Sequence, residues 1–254
     1  MKFRVALLLM PLLCLGAAIR AEAPKPSPNA DAEGKALVAE LLSQRPAQDF
    51  TNRGVLAIRP PKGAGPRRYV PVQFKLLTGE KHWTSIYETA PTNREPRVRL
   101  SVIRRPSGGN EYHLAQCTNA GGLDGGSRVL VGTQAMTSFA GSDFWVADLG
   151  LEFLHWPTQR LLRQEMKRGQ SCNVLESIAP VGQTNGYVRV LSWLDIETGG
   201  VMYAEGFDSS GLLVKEFAPK GVTKVQGRWE LEEMEIINRQ TGSRTRLLFD
   251  FERK

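Results

Sequence analysis

The chain has 254 residues, 41% of them hydrophobic and 23% charged, with 33 basic against 26 acidic side chains and three histidines. That is enough apolar material to bury a real core, and the length suits one large domain or two small ones. The positive excess is mild and spread along segments such as Arg97, Arg99, Arg104 and Arg105. A solvated face explains it, anionic head groups would tolerate it, and no dense basic run marks a nucleic-acid site.

The first residues, MKFRVALLLMPLLCLGAAIRAEA, carry Lys2 and Arg4, then an apolar run from Val5 to Ala18, then small residues. This is the layout of a secretory signal peptide over residues 1–21, with cleavage falling between 18 and 23. The run is short for a membrane span, which needs about 20 residues. Cys14 falls within this leader, and removal of Lys2, Arg4 and Arg20 with it lowers the basic excess further. The leader implies an exported, periplasmic protein. Two cysteines then remain, Cys117 and Cys172. In an oxidising compartment they are the candidate disulfide, and closing so long a loop stabilises by about 4 kcal/mol where the geometry fits.

Residues 24–30, PKPSPNA, form a Pro-rich tether, and the remainder, 31–254, is expected to be a single domain. Asp31 is placed to cap a helix in which Leu37, Val38, Leu41 and Leu42 share one face, and Pro46 ends it. From Asp49 the period changes to two. In YVPVQFKLL, Val70, Val72, Phe74 and Leu76 fall on one face, with Gln73 and Lys75 on the other. RVRLSVIRR alternates Val98, Leu100 and Val102 with Arg97, Arg99 and Ser101. Later segments behave similarly, separated by turn signals such as Thr198-Gly199-Gly200 and Asp208 to Gly211. The pattern predicts roughly eleven antiparallel strands joined as successive hairpins, each with one buried side. NAGGLDGGS at 119–127 is glycine-rich, but Arg128 and VLVG follow where a phosphate loop needs Lys, Ser or Thr and a helix.

One stretch, GSDFWVADLGLEFLHWP at 141–157, breaks the strand pattern. Ser142 or Asp143 can cap a helix reaching about Leu154, with Pro157 beyond its end. On that helix Asp148, Glu152 and His155 form one narrow polar stripe. Phe144, Trp145, Val146, Leu149, Leu151, Phe153, Leu154 and Trp156 cover the rest. A surface helix needs about a third of its circumference apolar, so this one is expected to lie buried on several sides, within a curved sheet. Capping and a local ion pair explain the stripe more simply than a metal. His82 and His113 have no HExxH partner, and there is no GxSxG elbow. No catalytic residue, metal or cofactor is assigned.

The motifs GSDFWVADL at 141–149, QSCNVLESIAP at 170–180, YVRVLSWLDIETG at 187–199, MYAEGFDSSGLLVKEF at 202–217 and WELEEMEIIN before TGSRTRLLF cover about half of the chain. In kind and order they resemble the LolA/LolB-like superfamily, and specifically its outer membrane lipoprotein-sorting proteins. That resemblance implies a mainly β fold, a curved antiparallel sheet forming an incomplete barrel around an apolar cavity with helices as its lid. It implies a carrier of acylated lipoprotein or lipid, without catalysis, monomeric, with inner- or outer-membrane protein partners. The superfamily also includes envelope sensors, so an adaptor that binds a protein partner is the second reading and a secreted hydrolase the third. On the carrier reading Trp145, Leu149, Phe153 and Trp156 face the concave side and contact lipid with Phe74, Leu100, Trp193 and Phe249. Each acyl methylene buried there gains about 0.8 kcal/mol.

Overall fold

The computed structural model describes residues 27–91, 96–105, 108–117, 127–183, 185–225 and 228–250. The leader, the first residues of the tether and most of the glycine-rich loop lie outside them.

The first half is a meander: β1 (Phe50–Arg59), β2 (Arg68–Thr78), β3 (Trp83–Thr89), β4 (Arg97–Arg104), β5 (Glu111–Cys117) and the three-residue β6 (Arg128–Leu130). The second half is another: β7 (Thr158–Lys167), β8 (Gln170–Ile178), β9 (Arg189–Asp195), β10 (Val201–Phe207), β11 (Leu213–Val225), β12 (Arg228–Asn238) and β13 (Arg244–Asp250). The two join where β1 pairs antiparallel with β13, in the register Leu56↔Leu247. The result is one antiparallel sheet of thirteen strands, running from β6 at one edge through β1 and β13 to β7 at the other. It is mainly β and is not closed into a barrel. The expectation of about eleven strands falls short. A strand as short as β6, and β7 with its sequence TQRLLRQEMK, give little alternation to count.

Alternation sets the inward face. Met234, Leu247, Leu56 and Val70 oppose one another in sequence across four neighbouring strands. Tyr87, Leu100 and Leu114 continue that face across β3, β4 and β5. All of these are buried, Leu100 completely. Each such side chain contributes about 1.5–3 kcal/mol on burial.

A helix, α1 (Ala30–Ser43), packs along β7, with Val38, Leu37, Leu41 and Leu42 against the second half of the core. Its start differs from expectation. Asn29 is the N-cap, without a side-chain capping bond, and Asp31 lies in the first turn, where its carboxylate accepts from Arg160 Nε at 2.8 Å. Gly34 marks the closest approach: a Cβ there would sit 2.6 Å from the Gln159 carbonyl oxygen. No helix among the described residues is long and apolar enough to cross a membrane.

Candidate functional site

The chain must travel from β6 to β7, the two edges of the sheet, and residues 131–157 make that crossing over the inward face. After a 3-10 turn over Gly132–Ala135, the crossing continues as the greasy stretch at 141–157, whose conformation corrects the sequence expectation. It is a turn, a single short helix α2 (Val146–Gly150), and a 3-10 turn over Glu152–His155. Leu151, at φ 52°, separates the two in the left-handed region. A segment apolar on every side can bury itself in any compact conformation, so its pattern does not demand a continuous helix.

Phe139, Phe144, Val146, Ala147 and Leu149, none more than 4% exposed, fill the inward face of the first half of the sheet. Phe153, Leu154 and Trp156 do the same over the second half, against Leu175, Val190, Leu194 and Ala204. The segment therefore plugs the concave side.

Three polar clasps hold the plug to the sheet. In the first, Thr245 Oγ1 donates to Asp143 Oδ2 at 2.8 Å and accepts from the Asp143 N–H at 2.9 Å, while Ser243 Oγ donates to Asp143 Oδ1. In the second, Arg104 donates to the carbonyls of Gly150 at 2.7 Å and Leu149 at 2.9 Å, satisfying the end of α2. Beside it, Tyr112 Oη donates to Glu152 at 2.7 Å, and Asn110 donates to the Gly150 carbonyl at 2.8 Å. Burial pushes the Glu152 carboxyl above its ordinary range.

The third clasp centres on Lys215, 3% exposed, on the inward side of β11. Its ammonium donates to the Asp143 carbonyl at 2.7 Å and to Asp148 Oδ2 at 2.9 Å, and stands 3.4 Å from the Trp145 ring centre. Asp148 also accepts from the Trp145 N–H and from Tyr187 Oη, each at 2.7 Å. Tyr187 stacks on Trp145 at 5.5 Å with 7° between the planes. Burial pulls the Lys215 amine down to about 8, against the attraction of Asp148.

Of the eight side chains expected at a lipid face, seven associate with the plug or the inward core. Leu100 and Leu149 lie in the first cluster, with Phe74 and Phe249 half-buried against it and 5.8 Å apart. Phe153 and Trp156 lie in the second, with Trp145 packed against it. Trp193 is a correction. It faces the opposite side, packed with Cys172 and Val174, near Tyr203, and its indole N–H donates to Glu165. On β9 it is Val190 and Leu194 that point inward. Cys172 carries a free, buried thiol, so the expected bond to Cys117 is not made. The two cysteines occupy the second strand from each end of the sheet order.

The polar stripe also dissolves. Asp148 turns to Lys215, Glu152 to Tyr112, and His155, whose Nε2 is buried without a partner, is drawn below its usual range first by burial and then by Arg104. His113 bonds Glu111 at 2.6 Å on the outward face, and no histidine among the described residues hydrogen-bonds a serine. A pocket of about 610 Å³ opens at β1, β2, β3 and β13, lined by Val55, Val72, Glu88, Arg97, Leu248 and Phe249. It does not reach the plug.

A family model described as an uncharacterized protein matches residues 127–251. No curated protein matches the sequence. Among solved structures, a putative outer membrane lipoprotein-sorting protein domain from Vibrio parahaemolyticus superimposes with a TM-score of 0.70 at 18% identity, covering 87% of this chain and 92% of that one. A DUF1329 family protein from Desulfovibrio piger gives 0.68 at 18% identity, covering 87% and 91%. A LolA superfamily protein from Nitrosomonas europaea gives 0.59 at 14% identity, covering 87% and 92%. These likenesses extend over most of each chain, and the chain has the LolA-like fold.

Proposed function

We propose that this protein is a periplasmic carrier that holds acyl chains, of lipid or of an acylated lipoprotein, against the inward face of its sheet. Residues 31–254 act as one domain, delivered to the periplasm by the leader. The observation that carries this reading is the plug. An apolar face is covered not by a long, locked helix but by a short broken segment attached at three discrete polar clasps. Lifting that segment exposes hydrocarbon-lined sheet, and an acyl chain replaces the buried plug side chains at about 0.8 kcal/mol per methylene. Phe74, Leu100, Phe249 and the plug residues Trp145, Leu149, Phe153 and Trp156 then line the chain, while Trp193 takes no part.

The inward face being filled by the protein's own residues favours one second reading, an envelope adaptor of the same fold that binds a protein partner with the plug in place. Native mass spectrometry after mild extraction separates the two: co-purified lipid or acylated peptide supports carriage, a bound protein with no lipid supports the adaptor. A brominated fatty acid supplies the spatial check. It should quench a variant that keeps tryptophan at 145 and 156 and spare one that keeps it at 193. Equal quenching of both, or none, refutes acyl binding on the inward face.

A further inference from the structure

Among the described residues, every partner of the Lys215 ammonium belongs to the plug: the Asp143 carbonyl, the Asp148 carboxylate and the Trp145 ring. None comes from the sheet on which Lys215 is mounted. Its surroundings on the inward face are mixed: Phe217 lies next along β11, Asn238 stands opposite on β12, and the Ser243 and Thr245 hydroxyls hold Asp143 beside it; none of these carries a negative charge. Displacement of residues 143–148 therefore strips the ammonium of all three partners at once, its only carboxylate partner included. A buried charge without a counter-ion is strongly unfavourable. A neutral acyl chain that lifted the plug would bear that cost in full. A chain ending in an anion would not, because it brings a replacement for Asp148.

We propose that Lys215 is the headgroup cation of the acyl site, and that the preferred ligand is a chain bearing a carboxylate or phosphate, which takes the ammonium over from Asp148 as the plug lifts. The inference rests on the carrier reading and adds the ligand's charge to it. The acyl chain supplies affinity through area, and the headgroup supplies selection through one charge-assisted bond. The same exchange makes the clasp a latch: the anion that binds is also what releases the segment.

The test uses two fluorescent probes on the full mature chain, dansylaminoundecanoic acid and its methyl ester. The wild-type protein should bind the acid about tenfold to a hundredfold more tightly, the worth of one charge-assisted hydrogen bond, and Lys215→Met should bring the ratio near one. Displacement by dodecanoate, dodecyl phosphate and dodecanol then separates the sources. Both anions should outcompete the alcohol, and the stronger of the two identifies a fatty-acid carboxylate or a phospholipid phosphate. Should Lys215→Met fail to fold, Asp148→Asn keeps the ammonium and weakens its resident partner, and it should tighten the acid but not the ester. Equal wild-type affinity for acid and ester, or an unchanged ratio in Asp148→Asn, overturns the headgroup role and leaves acyl binding standing. No binding of either probe overturns both.

Discussion

Lys215→Met tests the buried clasp through stability as well as binding. The methionine keeps most of the stem's packing and removes the charge. In the folded protein the Lys215 amine titrates at about 8, against an ordinary 10.5. Between those two values the unfolded chain binds more protons at this position than the folded one, so wild-type stability rises with pH across the window. The full difference is worth about 3 kcal/mol. Between pH 8 and 9.5, before the tyrosines of the unfolded chain ionise, the gain is about 1.5 kcal/mol. The groups facing the ammonium do not obscure it. Burial holds the Tyr187 phenol well above its ordinary value. The buried Cys172 thiol, raised by desolvation, acts in the opposite direction but equally in both proteins. Urea denaturation of the two at several pH values between 7 and 9.5 isolates the term. The wild type should gain about 1.5 kcal/mol relative to the variant, which thermal melts would read as about 3–6 °C for a chain of this size. Parallel pH profiles would mean that Lys215 is solvated in solution and that the clasp does not form.

Three further outcomes follow from close contacts. Gly150→Ala places a Cβ 2.1 Å from Tyr112 Oη, so the phenol must leave Glu152, and thermal unfolding should show a loss of about 1–3 kcal/mol. Gly34→Ala forces α1 off the Gln159 carbonyl, 2.6 Å away, and hydrogen exchange should show faster exchange confined to Ala30–Ser43 and the adjoining β7. Glu235→Ala removes a 3%-exposed carboxylate that accepts from Arg246 at 2.7 Å and Lys220 at 3.0 Å. Because both cations can rehydrate, denaturation should show a loss of about 1–3 kcal/mol, less than for a fully buried pair.

The sheet was legible wherever one face was wet. In β4 the arginines at 97 and 99 force Val98, Leu100 and Val102 inward, and all three are buried. In β9 both faces are apolar, Val190 and Leu194 on one and Leu191 and Trp193 on the other, so parity alone left Trp193 unassigned and size misled. The plug was legible as a buried segment but not as a broken one, since uniform greasiness carries no period. Gly150, where a side chain would strike Tyr112, was the available sign of the break. Lys215 was overlooked because a lysine in a strand reads as wet, yet it is in phase with Leu213 and Phe217. A charged residue on the oily phase is the pattern that could have found it. Its partners, 67 and 72 positions away, follow from the fold and not from spacing.

The seam between β1 and β13 unites positions roughly 190 residues apart, such as Val55 and Leu248. Each hairpin meander can zip locally, but this join must wait until β13 has emerged, and closing so long a circuit carries an entropic toll of about 4–5 kcal/mol. A polypeptide ending before Arg244 would thus hold two unfinished half-sheets, each offering a bare central border to any neighbouring strand. In this architecture β13 is the strand that unites the two meanders.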